Sequence, residues 1–412
     1  MSQQGPIIVV SSGEPLSFSA ALSETKMFPV IDAIWSEAAQ AVESLQPAAV
    51  LVSASEDAEP PLRELAGRVA ARQPYVPLVV IDPKMPLPAN AIPFSQVGSN
   101  IDRLSARLRA ALRVRTLHST VLRRLTDEPT MQLQPPDTEP VDDATALLVG
   151  RGAAYPALSV AMGEQIGIVG ALSIEAAAKH LNARELDGIV LGEGFSPRVV
   201  DAFLTVLAED ARFRNLPVVV TVPGVMPFYD LPNLELTSGA PARVAANALP
   251  LIRQHAFEAR LRRTLTAIES CGLVDQRTGL LTRTAFDRDF AAAVYQTTSR
   301  GSELSAVRFS FDRTAERVRL DAARILSRSM RRMDFATLGD DGSLIAVFPE
   351  TELRNAQLIA RRLSGVMKYT MHGPKRDSRI EPRVTLATLL PTDSANSIIA
   401  RLYGHDARRA AS

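Results

Sequence analysis

Arg331-Arg-Met-Asp-Phe-Ala-Thr-Leu-Gly-Asp-Asp-Gly-Ser-Leu-Ile-Ala-Val-Phe-Pro-Glu-Thr351 is the stretch whose reading decides the fold of the C-terminal part of this chain. Within it, Leu344–Phe348 is a short apolar run closed by Pro349, which reads as a strand bounded by turn residues. Leu304–Phe311 and Val384–Leu389 read the same way, and the three can pair as the antiparallel sheet of an α+β domain. A helix is predicted over Arg319–Met330, just before the quoted stretch. A longer one, with apolar positions Leu251, Ala256, Leu261, Leu265 and Ile268, leads into the whole segment.

Further upstream the pattern changes to short β-branched runs alternating with helical stretches, the mark of a parallel sheet with crossover helices. Strands are predicted at Ile7–Val10, Pro29–Ala33, Ala49–Val52, Leu78–Ile81 and Ile92–Phe94, with helices such as Ser36–Gln46 and Pro61–Arg72 between them. A helix from Asn100 to about Leu125 closes this block. Residues 126–143 are acidic and hold four prolines, so they read as a linker without continuous helix or ladder. The alternation then restarts at Ala146–Val149, Ile166–Val169, Gly188–Leu191, Val218–Val220 and Leu234–Leu236, and a long helix again follows, from Pro241 past Ile268. The similar spacing makes a degenerate internal repeat, and each block fits a flavodoxin-like doubly wound sheet. The limits drawn on this reading are 1–125, the linker 126–143, 144–258 and 259–412.

Bulk composition narrows the function. A chain of 412 residues needs more than one core, and 46% hydrophobic with 22% charged residues is globular. Forty-six basic against 45 acidic side chains leave +1, so no overall field attracts nucleic acid or an anionic membrane. The apolar runs are strand-length, too short to cross a bilayer. The start MSQQGPIIVV has no basic region followed by a long apolar one, so a cytoplasmic protein is expected. Cys271 is the single cysteine, and His118, His180, His255, His372 and His405 never fall at ligand spacing. Neither a metal nor a cofactor is expected.

Both early blocks resemble response-regulator receiver domains, and the three-part layout resembles PleD-type response regulators. A receiver holds Mg²⁺ with two acidic residues after its first strand and accepts a phosphoryl group on an Asp after its third, since hard oxygen ligands and a nucleophilic carboxylate are required. Carried over, the first block has Ser11 and Ser12 at the acidic pair, Ser53 at the acceptor and Asp82 at the sensing Thr. The second has Gly150 and Arg151, then Gly192, then Val222. The resemblance therefore implies lost phosphoacceptor positions at Ser53 and Gly192, and domains kept for dimerisation and partner docking. The competing reading keeps modification at Ser53 or at a nearby carboxylate such as Asp57.

The C-terminal segment resembles the GGDEF domains of diguanylate cyclases, a nucleotidyl-cyclase-like α+β fold. Asp275, Thr278, Gly279, Leu280, Arg283 and Phe286 match the D-x-L-T-G-L-x-N-R-x-x-F opening of that family. The quoted stretch follows its R-x-x-D-x5-GGDEF-x-x-x-x-P layout, but the signature itself reads Asp340-Asp341-Gly342-Ser343-Leu344. The resemblance assigns the two glycines to close approach of the substrate phosphates and the two acids to metal and hydroxyl activation. Here the acids are replaced by Gly342 and Ser343. Ser310 stands at the other metal carboxylate, leaving Asp312, and the segment that reads guanine is deleted. The closing A-D-x-A-L-Y run is reduced to Ile399–Gly404 and holds no recognisable lysine. Catalysis is not expected from such a chain.

One family site keeps its residues. Arg331 and Asp334 form the R-x-x-D that ends five residues before the signature, where the resemblance implies an inhibitory site for cyclic di-GMP. Arg362 aligns with the supporting arginine, Arg361 is its neighbour, and Arg332 adds charge. An arginine fork suits guanine's Hoogsteen edge or a phosphate, and a carboxylate accepts from guanine N–H groups. The bland alternative is a solvated i, i+3 pair. The expected protein is a non-catalytic cyclic di-GMP-binding effector. It would form a homodimer through the long helices and act with protein partners that the sequence does not identify, without nucleic acid or membrane. A scaffold without nucleotide and an active diguanylate cyclase are the alternatives.

Overall fold

Apolar runs four or five residues long can leave water on both faces only if helices cover both sides of the sheet they form. The computed structural model, which describes residues 5–12, 17–24, 28–53, 59–84, 87–96, 101–127, 133–136, 144–311, 316–368 and 382–409, has two such sheets. The first contains β1 (Ile7–Ser11), β2 (Val30–Ile34), β3 (Ala49–Ser53), β4 (Leu78–Ile81) and β5 (Ala91–Phe94), all parallel, in the order β2-β1-β3-β4-β5. It is wrapped by α1 (Ser17–Glu24), α2 (Trp35–Leu45), α3 (Glu59–Ala70) and α4 (Ile101–Asp127). The second contains β6 (Thr145–Val149), β7 (Gly167–Ala171), β8 (Gly188–Leu191), β9 (Val218–Val220) and β10 (Leu234–Leu236), ordered β10-β9-β8-β6-β7. Its helices are α5 (Tyr155–Gly163), α6 (Ile174–Ala183), α7 (Pro197–Glu209) and α8 (Pro241–Glu269). Read from one edge, both orders are the flavodoxin-like 2-1-3-4-5. Neither sheet has a helix between its fourth and fifth strands among the described residues.

The two sheets share one apolar core. Ile7, Val9, Leu108 and Leu112 from the first join Ala146, Leu148, Leu249 and Ile252 from the second. Helices α4 and α8 pack on each other through Val114, Val121, Phe257, Leu261 and Ile268. The Leu251–Ile268 stripe, read either as a dimer surface or as core, packs inside this chain, with Leu265 partly buried. Arg107 seals the seam, donating from Nη2 to Glu235 Oε2 at 3.2 Å and to the Leu234 carbonyl, from Nη1 to the Pro93 carbonyl and from Nε to the Pro232 carbonyl. Helix α4 continues past the limit drawn at 125, and α8 runs unbroken across that at 258/259. Of the linker, Leu133–Pro136 have no regular structure and Leu133 packs on the α4–α8 seam; residues 128–132 and 137–143 lie outside the described residues.

The third domain comprises α9 (Arg283–Arg300), β11 (Leu304–Ser310), α10 (Glu316–Ser329), β12 (Phe335–Leu338), β13 (Leu344–Pro349), α11 (Leu353–Lys368), β14 (Arg383–Thr388) and α12 (Ala395–Arg409). Its sheet is antiparallel, ordered β12-β13-β11-β14. The three expected strands are present. The fourth, β12, has no apolar run to announce it and exists because Leu344–Val347 offers Phe335–Leu338 a ladder. The domain is fastened to the second one by Arg184, whose Nη1 donates to Asp321 Oδ2 at 3.2 Å and whose Nη2 donates to the Val366 carbonyl at 2.7 Å.

Candidate functional site

The signature stretch folds as a tight hairpin because β12 and β13 pair down to Leu338 and Leu344, leaving five residues to turn. Gly339 N–H donates to the Ser343 carbonyl at 2.7 Å, and Gly342 N–H donates to the Gly339 carbonyl at 2.9 Å. Gly342 needs its glycine twice over. Its φ is +77°, and a Cβ there would lie 2.8 Å from Cδ of Arg319 on α10. Asp341 Oδ1 accepts from the Ser343 N–H and hydroxyl.

Arg308 lies on β11, beside the hairpin, and the sequence reading overlooked it. Its Nη2 donates to Asp341 Oδ2 at 2.7 Å, its Nε to Ser343 Oγ at 3.1 Å, and its guanidinium stacks 4.0 Å from the Tyr403 ring centroid. Only 6% of its side chain meets solvent. Burial pushes the Asp341 carboxyl up, but Ser343 and Arg308 outweigh that and hold it down at about 2. The signal available was an arginine inside the apolar run 304–311, two residues before Ser310, where only a partner brought by folding makes it tolerable. Asp341→Ala should strip this cation of its charged partner and cost about 1–2 kcal/mol, discounted for the partly exposed carboxylate. Urea unfolding at pH 7 checks it. Because the Asp341 pKa is depressed, its contribution is present above the usual carboxylate range and fades as pH falls toward 2.

A cleft of about 480 Å³ opens beside the hairpin, with Arg277, Arg283, Arg319, Glu316 and Asp340 in its walls. Most of its charges are already paired: Arg277 with Glu316 at 2.7 Å, and Arg283 with Asp287 at 2.9 Å. Asp275 accepts from the N–H groups of Arg277 and Thr278 and from the Thr278 hydroxyl, so it holds the entry turn. Ser310 ends β11 opposite Arg383, half-buried; Asp312 lies outside the described residues. Asp340 is exposed, while Ser343 and Leu344 are buried.

Arg331 and Asp334 close a turn between α10 and β12. Arg331 N–H donates to Asp334 Oδ2 at 2.9 Å, and Asp334 N–H donates to the Arg331 carbonyl at 3.0 Å. Burial raises the Asp334 pKa, opposed by the backbone bond and by the charges of Arg331 and Arg362. Arg362, on α11, is near enough for its charge to act on the same carboxylate, without a hydrogen bond or ion pair to it. Arg331, Arg332, Arg361 and Arg362 are exposed.

The positions matched to receiver chemistry hold backbone geometry. Ser53 ends β3, half-buried, and the Gly192 N–H donates to the Val149 carbonyl at 2.7 Å. Asp82, at φ +47°, accepts the Gln96 N–H on Oδ1 at 2.7 Å. Arg151 stacks 5.1 Å from the Phe195 ring centroid. Asp57 lies outside the described residues. Among those residues no group of three His, Cys, Asp or Glu is placed to hold a metal ion, and no helix is long and apolar enough to cross a membrane.

Neither a protein-family model nor a curated protein sequence matches the chain. Solved structures do. It is similar to the coiled coil and GGDEF domain of DgcB from Caulobacter crescentus, a structure in complex with c-di-GMP, at 18% identity and a TM-score of 0.32, covering 37% of this chain and 88% of that one. It is similar to the FimX GGDEF domain from Pseudomonas aeruginosa at 18% identity and a TM-score of 0.30, covering 34% and 94%. The active GGEEF domain of a diguanylate cyclase from Vibrio cholerae gives 17% and 0.28, covering 32% and 92%.

Proposed function

We propose that this chain is a non-catalytic cyclic di-GMP receptor and adaptor. Arg331, Asp334 and Arg362, with Arg361 beside them, form the ligand site of a degenerate GGDEF domain, and the two receiver-like domains provide docking surfaces for protein partners. The layout resembles that of PopA, a degenerate PleD paralogue. One observation carries the reading: a half-buried carboxylate, Asp334, closed onto the Arg331 backbone and acted on by the charges of two exposed arginines from different elements. Two guanidinium forks and one carboxylate match the acceptor edge and N–H groups of guanine. The loss of catalysis is supported at the hairpin, where Gly342 and Ser343 stand at the acid positions and Asp341, at a glycine position, is taken up by Arg308.

Isothermal titration of the full-length protein with cyclic di-GMP tests this. Wild type should give saturable heat, and Arg331→Ala should weaken binding by about 10–100-fold, the range of a lost charge-assisted bond. No heat from wild type overturns the proposal and leaves the scaffold reading. Cyclic di-GMP made from GTP and Mg²⁺ by the pure protein would sink the non-catalytic half.

A further inference from the structure

The two doubly wound domains lack the same helix, and they fill its place differently. In the second domain the connection after β9 folds back on its own core. Val225 and Tyr229 pack there, Leu231 is buried, and the Tyr229 hydroxyl donates to Asp201 Oδ1 at 2.6 Å. That anchoring pushes the tip outward: Met226 is 48% and Phe228 80% exposed, and the Asp230 side chain beyond them is 72% exposed. In the first domain the connection after β4 is shorter, with Leu87 packed on the core. A cavity of about 230 Å³ remains between α3, the start of β5 and α8. Val69, Ile92, Pro250 and Phe257 are in its lining, Arg63 and Arg253 carry its charge, and no acidic side chain lines it.

We propose that the Met226–Asp230 loop of one copy docks in this cavity of a second copy. The chain carries both halves of the contact. An aromatic tip left in water gains by entering an apolar pocket, and the acid two residues on meets a rim whose charge is positive. Two surface ion pairs compete, Asp230 with Arg214 at 3.5 Å and Arg63 with Glu59 at 2.6 Å, and both are weak because they are largely exposed. Loop and cavity are different surfaces, so the contact is head-to-tail. It is independent of the ligand reading, and Phe257 of the α4–α8 seam also lines the cavity.

The test is the mass of the full-length protein, without nucleotide, by light scattering and sedimentation over about 10–500 µM, the range in which so small a contact would act. Wild-type mass should rise above one chain with concentration. Phe228→Asp removes the tip, and Gly67→Trp fills the cavity from α3, where an added Cβ meets no atom within 4 Å. Each variant should stay monomeric, its self-affinity reduced at least about tenfold. Mixed in equal amounts they should form a two-chain species and stop there, because one supplies the intact cavity and the other the intact loop. A wild type that remains monomeric throughout, a variant that associates like wild type, or a mixture that stays monomeric overturns the proposal.

Discussion

Replacing Glu235 by alanine should cost the folded chain about 3–5 kcal/mol, the usual result of leaving a buried ion without its partner. Arg107 and Glu235 are 0% and 1% exposed, so solvent does not screen the loss. Burial lowers the Arg107 pKa to about 10 even with Glu235 pulling it up, so the carboxylate offsets part of the desolvation. Glu235 also accepts the Ser95 N–H at 2.8 Å, so its removal opens the seam on both sides. The urea midpoint at pH 7 measures the effect. Adding Arg107→Met should recover only part of it, since the carbonyls of Pro93, Pro232 and Leu234 then lose their donor. A loss below about 1 kcal/mol in the single variant would mean the pair is wet and not buried.

The second large effect belongs to Asp321→Ala, which removes the carboxylate that Arg184, also 0% exposed, donates to and costs on the order of 3 kcal/mol at the junction of the second and third domains. The expected observable is a change in cooperativity. Calorimetry should show the wild type melting as one unit and the variant releasing its C-terminal domain to melt earlier. One unchanged transition would show that the latch is not what couples the domains. Acid should act on the same junction. Burial, with Arg184 adding to it, pushes His180 down to about 4, against Asp321. The unfolded chain therefore binds the proton that the folded one excludes, and stability falls as pH drops from about 6.5 toward 4.

Much of the fold was legible. Leu78–Ile81, Gly188–Leu191 and Val218–Val220 were read to the residue, because a run holding β-branched residues next to Pro, Gly or Asp is a local signal; Leu234–Leu236 was also read to the residue, on apolar alternation. Phe335–Leu338 was not, because its strand character comes from the partner across the hairpin. The spacing of Arg331 and Asp334 was legible, and the resemblance alone put Arg362 with them. Arg308 and Tyr403 were missed, since nothing within a few residues of either announces the other.

The hairpin stretch 331–351 by itself determined a strand, a turn and the spacing of Arg331 and Asp334, because hydrophobic period and turn chemistry act over a few residues. Only the tertiary structure decided what its charges do. It turned Asp341 toward Arg308, paired Arg107 with Glu235 and Arg184 with Asp321, and folded the long helices against each other. Burying a charge is tolerable only beside its counter-charge, and whether such a partner arrives depends on contacts across the chain that no local pattern encodes.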